Sequence, residues 1–161
     1  MAKTRTVAGA GTLATAALVL IFGNQPFTEW VDRHISASDG AWDWFLRTLT
    51  WPRWWVGPWD GSNAEIRQLL ANDIRAILLV AFVAIILSLV AKSVAGGGAG
   101  FFLGWSALVF GSALAAFLTA FIISNPSLVN AFQVAGAGSA YGLFVGWIVG
   151  AVTAGAKGAG S

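Results

Sequence analysis

Long apolar runs alternate along this chain with one polar stretch. The runs cover about residues 6–23, 74–94, 101–123 and 138–156, and the polar stretch covers 24–72. Each run approaches the roughly 20 residues that carry a helix across a bilayer. The pattern predicts an all-α integral membrane protein: a single membrane domain of four transmembrane helices, with an external tryptophan-rich loop containing short interfacial helices.

The fourth run has the most specific spacing. Gly138, Gly142, Gly146 and Gly150 recur every four residues, and Ala154 and Gly158 continue the step. Inside a helix in water, each glycine costs about 1 kcal/mol against alanine. In a bilayer, small residues four apart let two helix backbones approach closely. Leu143, Phe144, Trp147 and Ile148 fill the opposite surface. The third run carries a matching row, Ala107, Gly111, Ala115 and Thr119, and a second row at Ser112, Ala116 and Ala120. It is therefore the natural internal partner of the fourth, although the ladder also suits another protein.

Lys3 and Arg5 precede the first run, as in a signal peptide or a signal anchor. We expect an uncleaved anchor, ended by Gly23 and Asn24. The polar stretch begins there. All seven acids lie between Glu29 and Asp73, and seven of the nine tryptophans lie in the same stretch: Trp30, Trp42, Trp44, Trp51, Trp54, Trp55 and Trp59. Indoles favour the headgroup level, so these residues form an interfacial belt or a docking surface for lipid or a partner.

Within the stretch, Pro26 to Arg33 predicts a short helix with Glu29 and Arg33 paired. A second helix is expected from Asp39 to Thr50, started by Ser38 or Asp39, with Trp42, Phe45, Leu46 and Leu49 on one face and Asp43 paired to Arg47 on the other. Trp51-Pro52 and Gly57 to Gly61 read as turns. Ser62 and Glu65 fit a capping box that opens a long helix, with Arg75 and Lys92 snorkelling near the two ends of its span. Gly96 to Gly100 reads as a turn. Between the third and fourth runs, Asn125 and Pro126 predict the start of a separate short interfacial or re-entrant helix bearing Leu128, Val129 and Phe132.

Composition narrows the function. The chain is 57% hydrophobic and 10% charged, with mean hydropathy +0.75, against about 25% charged in soluble domains. The absence of cysteine excludes disulfides, thiolate metal sites and a cysteine nucleophile. A net charge of +2 comes from scattered basic residues, so no nucleic-acid partner is expected. Lys3, Arg5, Lys92 and Lys157 fall on one side of the predicted topology without acids. That places both termini in the cytoplasm and the tryptophan loop outside a bacterial inner membrane.

Candidate chemistry is sparse. His34 is the single histidine, and with Glu29 and Asp32 it makes a weak metal constellation, so no metal or cofactor is expected. Asp39 with Asp43, and Asp60 with Glu65, are explained by helix starts, turns or ion pairs, so no catalytic residue is assigned. Gly96 to Gly100 lacks the Lys-Ser/Thr of a phosphate loop.

The stretch Trp30-Val31-Asp32-Arg33-His34 through Trp42-Asp43-Trp44-Phe45-Leu46-Arg47-Thr48-Leu49-Thr50-Trp51 resembles the leading segment of type 2 phosphatidic acid phosphatases. The K-x6-R-P, P-S-G-H and S-R-x5-H-x3-D motifs of those enzymes are absent from this sequence, so the likeness implies no phosphatase activity. In build and Gly/Ala/Trp composition the chain is similar to small accessory membrane subunits of actinobacterial assemblies, of the Mce lipid-uptake or respiratory type. The expected function is that of a non-catalytic accessory or scaffold subunit. Its expected partners are other integral membrane subunits and membrane lipids. The rival is a homo-oligomeric channel or lipid-transport protomer, and a lipid-modifying enzyme built around His34 is the third reading.

Overall fold

The computed structural model describes residues 2–35, 40–57, 61–93, 96–124 and 126–158. Among these described residues, six helices follow one another: α1 (Ala2–Phe22), α2 (Gln25–His34), α3 (Ala41–Leu49), α4 (Asn63–Val90), α5 (Gly97–Ile123) and α6 (Leu128–Gly158). No strand occurs among the described residues. α4, α5 and α6 are each long and apolar enough to cross a membrane, and Val7–Phe22 of α1 qualifies together with α2 across a 56° bend. The protein is therefore all-helical, with three to four candidate spans.

Local chemistry explains most boundaries. Asn24 accepts from the Phe27 amide at 2.8 Å and caps α2, with Pro26 in its first turn. The Ser62–Glu65 capping box forms in full: the Ser62 amide donates to Glu65 Oε2 at 2.6 Å and the Glu65 amide to Ser62 Oγ at 3.4 Å. Gly96, at φ 82°, supplies the left-handed turn between α4 and α5.

Several boundaries depart from the expected ones. Ser38 and Asp39 lie outside the described residues, and α3 opens at Ala41 behind Gly40, without a side-chain cap. α5 begins at Gly97, inside the expected turn. Lys92 lies beyond the end of α4. The largest difference is α6, which is one continuous helix where a separate short helix and a break were expected. Asn125 lies outside the described residues. Pro126 precedes α6 instead of opening it, and the Ser127 hydroxyl accepts from the Asn130 amide at 3.3 Å. Continuity has a packing cause: Ala131 is fully buried, and Phe132 meets Phe117 of α5 with ring centroids 5.2 Å apart. The hairpin contact thus extends past Gly138 and carries the helix with it.

The four long helices form a ring. α5 and α6 make the most extensive contact, α4 packs on the other side of α5, and α1 closes the ring against α4 and α6. Leu79, Val83 and Leu87 of α4, Leu108 of α5, and Val145 and Val149 of α6 fill the interior, all fully buried. Thr153 donates across the interface to the Gly100 carbonyl at 2.7 Å. Glycine admits α1 to the ring, since a Cβ on Gly11 would run into Leu87 and Thr153.

Candidate functional site

The glycine ladder faces α5 of its own chain. A Cβ on Gly138 would strike Ser112 O, one on Gly142 the Val109 backbone, one on Gly146 the Trp105 ring, and one on Gly150 would lie 2.7 Å from Phe101 O. The two helices therefore run antiparallel at backbone contact. Ala154 continues the line, with its Cα 3.5 Å from a Cβ built on Gly100. The α5 rows divide differently from the expected arrangement. Ser112 and Ala116 meet α6, whereas Gly111 turns toward Val83 of α4, and Ala107 and Ala115 are fully buried in the core. With these rows enclosed, the polar stretch becomes the place to look for a site.

Residues 50–55 cross one end of the bundle and are fastened to three of its helices. The Pro52 carbonyl sits against Gly23, where no Cβ fits. The Trp54 amide donates to Gly23 O at 2.9 Å, and its indole N–H donates to Val19 O at 3.0 Å. These bonds satisfy carbonyls at the end of α1. The Trp55 amide donates to Asp73 Oδ1 of α4 at 2.9 Å. Trp51 stacks on Tyr141 of α6 at 5.0 Å, and the Arg75 guanidinium lies 4.7 Å from its ring centroid.

Two cavities open beside this segment. One, of about 590 Å³, lies against the outer part of α4 between Trp55, Ile66, Leu69 and Asn72. The other, of about 450 Å³, lies between α3 and α6 and is lined by Arg47, Trp51 and Tyr141 among others. Arg53 and Arg75 line both. Arg47 Nη2 donates to Ile35 O, Arg53 Nη2 to Asp32 Oδ1 at 3.2 Å, and Arg75 Nη2 to Asn72 Oδ1 at 2.8 Å.

Part of this polarity is unmatched. Among the described residues, the buried side-chain polar atoms without a hydrogen-bond partner are Arg47 Nε, Trp55 Nε1, Arg75 Nε and Tyr141 OH. All four belong to side chains that line these two cavities. A buried donor left unpaired costs about 1–3 kcal/mol. Their concentration at one end of the bundle marks a place prepared for acceptors.

The tryptophans named from the sequence fall into two groups. Trp51, Trp54 and Trp55 are half-buried and hold the crossing segment, whereas Trp30, Trp42 and Trp44 are exposed. Trp59 lies outside the described residues. Trp44 meets Phe144 of α6 edge-on at 4.5 Å. The Glu29–Arg33 pair forms at 2.5 Å. Arg47 does not pair with Asp43, because the Ile35 carbonyl takes its guanidinium instead. His34 stacks on Trp30 at 5.4 Å. Among the described residues, no three acids or histidines converge as a metal set.

Sequence reasoning missed Arg47, Arg53, Arg75 and Tyr141 as a group. Arg75 lies thirteen residues into α4, where it was expected to snorkel at one end of the span. The available signal was the arginine content of the polar stretch, but the four residues come from α3, the crossing segment, α4 and α6, which only the fold brings together.

No family model matches this sequence, and no curated protein or solved structure matches the chain.

Proposed function

We propose that this protein is a non-catalytic accessory or scaffold subunit of a larger assembly in a bacterial inner membrane, acting by contact. In this reading α1, α4, α5 and α6 all span the bilayer, both termini are cytoplasmic, and the segment from α2 to the start of α4 lies at the external interface. The positions of Lys3, Arg5, Lys92 and Lys157 support that orientation.

The observation that carries the reading is the aromatic surface left uncovered in the polar stretch, where Trp30, Trp42 and Trp44 stand exposed. The glycine ladder is enclosed by α5, so it no longer serves as the partner-facing surface. Contact falls instead to the external aromatic segment, with exposed Trp30, Trp42 and Trp44, and to Leu143 and Trp147 on the outer face of α6. The channel reading is weaker because the glycine faces around which copies would assemble are packed against α5 of the same chain. Extraction of the tagged protein from its own membranes in mild detergent, followed by mass spectrometry of what accompanies it, tests the reading. Co-purifying integral membrane proteins at fixed stoichiometry are expected, and a monodisperse homo-oligomer with no companion would overturn it.

A further inference from the structure

The cavity between α3 and α6 carries side-chain charge of one sign. Arg47, Arg53 and Arg75 line it, and no carboxylate does. Burying like charges together is unfavourable unless an anion joins them. Asp32 pairs with Arg53 from outside the lining, while Arg47 and Arg75 bond only neutral carbonyl oxygens among the described residues. Each of these two retains a buried Nε–H without an acceptor.

Tyr141 adds an independent indication. Its side chain is only 2% exposed, it lines the cavity, and its hydroxyl has no partner. Two guanidinium N–H groups and one phenol are a donor set for a tetrahedral oxyanion, since arginine forks match phosphate oxygens in geometry as well as charge. The outer edge of the same cavity is apolar and consists of Ala137, Ala140, Phe144 and Trp44. Phe144 and Trp44 are 42% and 49% exposed, so this edge opens on the outer face of α6, where a span meets lipid.

We propose that this cavity binds the phosphate of an anionic membrane lipid, with the headgroup between Arg47, Arg75 and Tyr141 and the acyl chains running down α6 past Ala140 and Phe144. The shared chemistry is a phosphate oxyanion. The apolar edge favours the lipid over free phosphate, because a soluble ion has no use for it. The site rests on the reading of α6 as a membrane span, and it does not depend on the accessory-subunit reading.

Native mass spectrometry of the full chain in detergent, titrated with phosphatidylglycerol, phosphatidylcholine or inorganic phosphate, tests this. Phosphatidylglycerol is expected to bind at least about tenfold more tightly than phosphatidylcholine, which offers the same phosphate but whose choline cation the three arginines repel, and Arg47→Gln or Arg75→Gln to weaken it by about tenfold, the lower end for a hydrogen bond to a charged group. Tyr141→Phe keeps the ring on Trp51 and should weaken it by roughly three- to tenfold; this variant decides the matter if Arg75→Gln fails to fold. Lys92→Gln, an equal charge loss elsewhere, should leave binding unchanged. Equal affinity for the two lipids, or full affinity in Arg47→Gln and Tyr141→Phe, would overturn the proposal. Inorganic phosphate binding as tightly as phosphatidylglycerol, with the same dependence on the variants, would also overturn it by assigning the site to the free ion. Partner co-purification is scored separately, so either reading can fail alone.

Discussion

Trp51 stacks on Tyr141 with ring planes 21° apart and centroids 5.0 Å apart. This contact joins a polar crossing segment to a buried side chain of α6. It also positions Trp51 beneath the Arg75 guanidinium, so one indole organises the wall of the cleft.

Replacing Trp51 should therefore loosen the end of the bundle without dismantling it. Trp51→Ala is expected to cost about 2–4 kcal/mol, below the upper range for a fully buried tryptophan because the ring is half-buried. Trp51→Phe should recover about half of that. Unfolding in detergent, followed by loss of far-ultraviolet helicity, measures both. A cost under about 0.5 kcal/mol for Trp51→Ala would show that the stack holds nothing.

Thr153 offers a second contrast. Its hydroxyl shares its proton among Gly100 O on the neighbouring helix at 2.7 Å and Gly150 O and Val149 O of its own helix at 2.9 and 3.0 Å, whereas the Thr15 hydroxyl donates to Gly11 O within its own helix at 2.9 Å. Only the first bond joins two helices. Thr153→Val should cost about 0.6 kcal/mol and at most about 1.7 kcal/mol, the average and upper limit found for interhelical bonds in double-mutant cycles on a membrane protein. Thr15→Val is expected to cost less, and equal losses in unfolding experiments would contradict the assignment.

Glycines on the two sides of α6 should respond differently to bulk. A Cβ on Gly142 would collide with the Val109 backbone, whereas one on Gly136 meets nothing within 4 Å. Gly142→Leu is expected to destabilise by about 3 kcal/mol or more through overpacking, and Gly136→Leu to be close to neutral. Expression level and gel-filtration profile separate them, and similar behaviour of the two variants would refute the placement of α6 on α5.

The fold was legible wherever the signal was local. Pro26, Ser62 and Glu65 marked helix starts through chemistry within four residues, and α2 and α4 begin accordingly, while Asn24, expected to end the first helix, caps α2. The pairing of the third and fourth runs was legible too, because a four-residue step of small side chains implies a close neighbour. Which α5 row met that neighbour was not legible. Both rows were small, and choosing Ser112 and Ala116 over Gly111 depended on where α4 also packs. The break expected near residue 137 failed for a related reason: Asn125-Pro126 suggested a helix start, while the Phe117–Phe132 contact that extends α6 is tertiary. The cleft was hidden most completely. Arg47 had a plausible partner four residues away in Asp43, and only the folded chain exposes the Ile35 carbonyl to it.

The account depends most on the ladder being gripped by α5 of the same chain. The sequence contains no cysteine, so paired Gly100→Cys and Lys157→Cys can be introduced without background; a Cβ on Gly100 would lie 3.5 Å from Lys157 Cβ across the α5–α6 contact, at the short end of disulfide spacing. Oxidation in native membranes, read on a non-reducing gel, is expected to produce a crosslink within one chain at the monomer position. Crosslinked dimers in place of that product, or no crosslink at all, would place the ladder against another protein and contradict the account.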